Sequence, residues 1–455
     1  MQRKKATVLA VALILIVTFI ISLPFSVKAD GEQQTYNEAL AAFREDLSDP
    51  MHIDSVSSAY LYCLSTDTEL LSFDASPEIP EIPADTVKLL TALTAYELID
   101  DLSESVTITQ KMIDDSPGTR YDYKRGDVVT YRDLLCTLLM RTANDSATAL
   151  AYSLCGDMAA FAGKMNEKAK EIGLTDSFFT NATGFYDMRM RTTARDIFLL
   201  ANEFYKNETL MSFVGQRYRY LDSGVMVFSN NFLVSEYYNT LKDKKDYRDS
   251  TVNGMIVGSS DYGDVIVRTA KYNGYEYICV VLGAKKRVEH LIYSYEVSGE
   301  LIKWGAKNYS FIKLLNTNIP VTSVPVTNAR ESDSVPIVPV DNFSKYMLSD
   351  AYDSGLLAKE INITTKGLRA PIAEGTEVGE IIIYYNGEQI AKSRLVTACS
   401  ISENTTSSMI QSVWASISSP GAIKSYVAVI SCVTAYILIN SVIRQRRKIK
   451  RDGKA

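Results

Sequence analysis

Asp85 and Lys88 stand three residues apart in the stretch PADTVKLLTAL. On a helix that spacing brings a carboxylate and an ammonium together. Such pairing favours the protonated lysine, the wrong form for a general base, and the two can simply close a pocket as an internal ion pair. Farther along, Thr142-Ala143-Asn144 offers a hydroxyl and an amide. Either the two relay a proton and touch a ligand, or Asn144 caps a helix while Thr142 packs. A third stretch, VNGMIVGSS, carries Ile256, Val257, Gly258 and Ser259. Its aliphatic pair suits a strand and offers no charge, and Gly258 would let a ligand backbone approach the strand. The chain holds 2 His, His52 and His290, neither beside a Gly-x-Ser-x-Gly elbow or a cluster of metal ligands. A Ser-His-Asp triad and a His-rich metal site therefore find no support. A hydrolase built this way would rest on serine and lysine, and neither a cofactor nor a metal is expected.

The elements that must carry these residues can be read from periodicity. VKLLTALTAYELI has helical spacing, with Val87, Leu90, Leu93, Thr94 and Leu98 on one side. YRDLLCTLLMRTANDSATALAYSL reads as helix, break, helix, with Asn144-Asp145 placed to cap the second. VSSAYLYCLSTDTELLSFD reads as a hairpin around Ser65-Thr66-Asp67, and GDVIVRTAKYNGYEYICVVLGA as another around Asn273-Gly274. From about Val321 to Glu403 the texture changes to short strands with Pro and Gly punctuation, including a turn at Asn386-Gly387, which predicts a small all-β module. Residues 404–421 are rich in Ser and Thr and read as a linker.

The 455 residues are enough for two or three domains, and 46% hydrophobic with 22% charged is a globular composition. The net charge of −6 argues against nucleic acid as the partner. Arg3, Lys4 and Lys5 precede an apolar run, then Pro24 and Val27-Lys28-Ala29, which predicts a signal peptide over 1–29 with Asp30 as the first mature residue. The other possibility at this end is an uncleaved anchor. Residues 422–443 are apolar and long enough to span a bilayer. The basic run that follows (444–455) predicts a cytoplasmic tail and an extracytoplasmic bulk. The six Cys form no C-x-x-C motif and read as small buried apolar residues, a disulfide between two of them being the alternative.

Several blocks, in order, carry a resemblance: PADTVKLLTAL, LLMRTANDSATALA, LTDSFFTNATGF with RTTARDIFLLA, VNGMIVGSS, and LRAPIAEGTEVGEIIIY. Together they resemble the D-alanyl-D-alanine carboxypeptidases, low-molecular-mass penicillin-binding proteins that use S-x-x-K, S-x-N and K-T-G. The resemblance implies an α/β (α+β) penicillin-recognising, beta-lactamase/transpeptidase-like domain over 33–315, with an antiparallel five-stranded sheet flanked by helices. A C-terminal β domain over 320–403 would follow it. It also implies that Asp85, Lys88, Thr142 and Asn144 occupy the catalytic positions, and Ile256, Val257, Gly258 and Ser259 the substrate-binding ones. The N–H of Ser259 would then line what remains of an oxyanion hole. In such enzymes a serine hydroxyl attacks and a lysine takes its proton. Asp85 has no hydroxyl to acylate, and Ile256-Val257 cannot hold a substrate carboxylate. The expectation is a pseudoenzyme of the cell envelope that binds or scaffolds. Its partners would be peptidoglycan or its stem peptides, the membrane, and cell-wall enzymes. The rivals are an active serine-type D-Ala-D-Ala carboxypeptidase with an unusual mechanism, and a plain structural spacer.

Overall fold

The computed structural model describes residues 53–74, 81–235, 237, 246–286, 291–365 and 367–452. The expected signal peptide, His52 and His290 lie outside them. The chain divides into two compact units, one reaching Ile312 and taking in Tyr346–Gly355, the other formed by Lys313–Lys345 and the residues from Leu356 onward.

In the first unit the chain runs β1 (Ser58–Cys63), β2 (Thr68–Asp74) and α1 (Val87–Leu98). Next come β3 (Ser105–Thr107), α2 (Gln110–Asp114), β4 (Val128–Thr130), α3 (Tyr131–Arg141) and α4 (Asn144–Cys155). Three helices follow, α5 (Met158–Ile172), α6 (Ala194–Tyr205) and α7 (Glu208–Val214), then the small hairpin β5 (Tyr218–Tyr220) and β6 (Met226–Phe228). The long strands β7 (Val252–Ser260), β8 (Gly263–Tyr272) and β9 (Tyr275–Ala284) and helix α8 (Tyr293–Asn308) complete the unit. The main sheet is five-stranded and antiparallel, in the order β2-β1-β9-β8-β7.

Both faces of this sheet are covered, which explains why ICVVL in β9 is an unbroken apolar run rather than an alternating one. Ile278, Val280 and Leu282 join the core under α1, α3 and α6, whereas Tyr277, Cys279 and Val281 join a second core with Val297, Leu301 and Ile302 of α8. Each such apolar side chain contributes roughly 1.5–3 kcal/mol by leaving water. The hairpins form where expected, with Asp67 at φ 51° and the pair Asn273 and Gly274 at φ 51° and 86°. Those left-handed values fit the tight turn that aligns two twisted strands.

The second unit is an all-β module followed by helix. The division between units falls within β10 (Tyr309–Leu315) and β13 (Phe343–Leu348). The remaining strands are β11 (Thr322–Thr327), β12 (Ser334–Pro339), β14 (Leu357–Ile363), β15 (Leu368–Arg369), β16 (Glu377–Tyr385) and β17 (Glu388–Thr397). They pair in the order β14-β16-β17-β12-β11-β15. The linker expected over 404–421 needs correction: Thr405–Ile417 is a helix, α9. Met409, Ile410, Val413, Trp414 and Ile417 recur at three- and four-residue spacing, and this periodicity outweighs the Ser and Thr content that suggested a linker. Helix α10 (Pro420–Asp452) contains Ile423–Gln445, the one stretch among the described residues long and apolar enough to cross a membrane.

Candidate functional site

The site begins at a tight 3-10 turn, Ala84–Thr86, that leads into α1. Ala84 sits at φ 45°, a left-handed conformation that costs an L-residue about 1–2 kcal/mol. Gly184 packs on that turn so closely that a Cβ there would lie 2.7 Å from the Ala84 carbonyl carbon. Gly184 is itself at φ 78°, so glycine is needed on both counts. One turn into α1, Lys88 is fully buried, and its ammonium pairs with the Asp85 carboxylate, which is 21% exposed. Lys88 Nζ also donates to the Thr183 carbonyl at 2.6 Å. Both partners are acceptors, so this nitrogen acts as a donor on each side.

Strand β7 closes the other side of Asp85. A Cβ added at Gly258 would fall 2.8 Å from Asp85 Cγ, so the carboxylate lies directly against this glycine. Ile256 and Val257 alternate as strand neighbours must: Ile256 joins the core with Val87 and Leu89, and Val257 the core on the opposite face. Ser259 is exposed, and its Oγ accepts a hydrogen bond from Lys286 Nζ at 3.2 Å.

Thr142 and Asn144 occupy the junction of α3 and α4, and both of these helices pack on α1. Thr142 ends α3 at φ 49°, and its hydroxyl oxygen accepts from Asn230 Nδ2 at 3.0 Å. The cap expected of Asn144 is not made: α4 starts from Ala143 without a side-chain cap. The Asn144 amide instead donates to the Pro117 carbonyl, and its backbone N–H donates to Thr119 O at 2.8 Å. A tight loop over 117–123 draws the side chain away from its own helix. That loop is anchored by Asp145, whose carboxylate accepts backbone N–H bonds from Tyr121, Asp122 and Tyr123. Asn144 Oδ1 is buried and has no partner among the described residues, an opening for a donor from water or ligand.

Asp85, Lys88 and Gly258 therefore meet at one place, with Ile256 on the same face of β7. Three participants were missed in the sequence: Ala84, Thr183 and Gly184. The block TNATGF did contain a signal for one of them, since a glycine after a polar run marks a left-handed or crowded position. Glu81, just before the turn, pairs its backbone with Thr192, and its carboxyl is pushed up to about 7 by burial and then by the charge of Asp74. Among the described residues no cluster of three or more acidic, His or Cys side chains could hold a metal.

A mixed sheet-and-helix unit with a lysine buried at the start of its first long helix, followed by an all-β module, defines a penicillin-binding protein fold. It is shared with the crystal structure of the D-alanyl-D-alanine carboxypeptidase DacD from Francisella tularensis (20% identity, 77% of this chain and 94% of that one, TM-score 0.52). Residues 63–286 match the family described as D-alanyl-D-alanine carboxypeptidase, and 309–403 the C-terminal domain of penicillin-binding protein 5. The chain belongs to the D-alanyl-D-alanine carboxypeptidase family. It is similar to the D-alanyl-D-alanine carboxypeptidase DacF of Bacillus subtilis (25% identical over 340 residues, 72% of this chain and 82% of that protein). It is also similar to DacD of Salmonella typhimurium (26% over 328 residues, 70% of this chain and 80% of that protein).

Proposed function

We propose that this chain is a catalytically silent D-alanyl-D-alanine carboxypeptidase homologue that binds peptidoglycan, or scaffolds the enzymes that trim it, at the outer face of the cell membrane. The observation that supports this best is the Asp85 carboxylate, paired with Lys88 and seated against Gly258. An acylating serine needs a hydroxyl at this place and a lysine able to accept its proton. Here the carboxylate fills the slot, and the lysine nitrogen is committed to two acceptors. The apolar Ile256-Val257 pair in β7 supplies no cation for a terminal carboxylate, and groups of one catalytic unit fail together rather than singly. Membrane attachment rests on α10, with the bulk outside and the basic tail inside.

The test is intact-mass spectrometry of the full chain in detergent with penicillin, alongside D-alanine release from a peptide ending in D-Ala-D-Ala. No adduct and no release are expected, from the natural protein or from Asp85→Ser. A stoichiometric, hydrolysable adduct on the natural protein would sink the proposal, and D85S turnover close to that of an active relative would show that β7 is no obstacle.

A further inference from the structure

Around the mouth of the site, aromatic side chains from two separate loops converge. Tyr186, from the loop after Gly184, lies against Tyr262 of the β7–β8 turn, with ring centroids 4.5 Å apart at 30°. Tyr186 is 43% and Tyr262 53% exposed, and Phe185 beside them is exposed as well. The Phe185 ring reaches the Gly118 side, where a Cβ on that glycine would meet Phe185 Cδ2 at 3.8 Å and Asn144 Nδ2 at 3.0 Å. Tyr186 and Tyr262 thus lie against each other, while the neighbouring Phe185 ring is turned to Gly118, beside the Asn144 amide.

The loop that presents them is fixed. Asn181 Oδ1 accepts from Thr183 N at 3.1 Å, Thr183 Oγ1 at 2.9 Å and Gly184 N at 2.9 Å, and Asn181 Nδ2 donates to the Phe185 carbonyl at 3.0 Å. Asp187 forms an ion pair with Arg189 just after it. The rings are thus held apart from the core by a loop with little freedom left to lose, which is the condition for binding without an ordering cost. Polar groups lie beside them: the Tyr186 and Tyr262 hydroxyls, which meet each other, and the carboxylates of Asp261 and Asp187, each next in sequence to one of the tyrosines.

We propose that Phe185, Tyr186 and Tyr262 form a platform for a pyranose ring of a glycan strand at the mouth of the candidate site. A sugar ring presents an apolar C–H face that dries an aromatic ring, and hydroxyls at its edge that need polar partners. An exposed aromatic centre with a polar border matches both. A purely aliphatic partner would leave the border groups unpaired at a cost. The proposal deepens the silent-homologue reading and rests on it: with no chemistry at Asp85, recognition shifts from the end of a peptide to the backbone of the wall polymer.

The experiment is calorimetric titration of the full chain in detergent with a soluble β-1,4-linked N-acetylglucosamine oligomer, with a stem pentapeptide in a parallel arm. The oligomer is expected to bind, Y186A/Y262A to weaken it by roughly tenfold or more, and Y186F/Y262F to stay within about threefold. Nitration of Tyr262 in the natural protein, slowed by the oligomer, supplies a readout that needs no variant. Absence of oligomer binding, or equal binding by the alanine variant, overturns the platform. Concentration-dependent self-association lost in Y186A/Y262A would assign the surface to a second copy and overturn it too. Release of D-alanine from the pentapeptide would instead overturn the silent-homologue reading, and leaves the glycan result to stand or fall by itself.

Discussion

At the scale of single residues, the environment of each ionisable group decides what it contributes. Glu81 takes up its proton more readily in the folded chain than in the unfolded one, because burial and then the charge of Asp74 oppose its anion. A raised carboxyl value means that the stability is greatest in acid. It is lost as pH rises from the ordinary carboxyl range through about 7. Glu81→Gln should therefore raise stability by about 1–2 kcal/mol at pH 8 and change little at pH 4, read from denaturant midpoints at the two pH values. An equal effect at both would show that Glu81 acts through packing alone. The pairing of Asp85 with Lys88 was legible from their spacing, because helix geometry is local. The Thr183 carbonyl on Lys88 was not, since a backbone oxygen 95 residues away leaves no mark in residue type. The cap of Asn144 was misjudged for a similar reason, its amide being claimed by Pro117 from a distant loop.

At the scale of elements, the turn before α1 and strand β7 are wedged together through Asp85 and Gly258. Gly258→Ala should cost about 1–3 kcal/mol by overpacking, because the new methyl must displace a carboxylate held by Lys88. Asp85→Ala is costly by itself, since it leaves Lys88 buried without its anion. In a double-mutant cycle the two losses should be markedly less than additive. Strict additivity would place Gly258 and Asp85 out of touch. The Asn-Gly turns of the long hairpins were plain in the sequence because their chemistry allows few alternatives. Helix α9 was hidden, because Ser and Thr composition spoke for a linker while a sparse apolar stripe spoke for a helix.

At the scale of the whole molecule, the chain divides into two compact units with the boundary inside β10 and β13, and α10 carries the apolar span. With the basic segment after Ile443 on the inside, protease added to intact protoplasts should degrade the bulk of the chain and spare a small C-terminal fragment. Full protection of the bulk would reverse the topology and remove the cell-wall setting. On the silent reading proposed above, no turnover is there to report the protein's integrity. The interred lysine of α1 supplies one. Lys88 has no exposed surface and both its partners are internal, so amine-reactive reagents can reach it only when the first unit opens. Its labelling, set against the fast labelling of exposed lysines such as Lys111, makes this side chain a clock for unfolding.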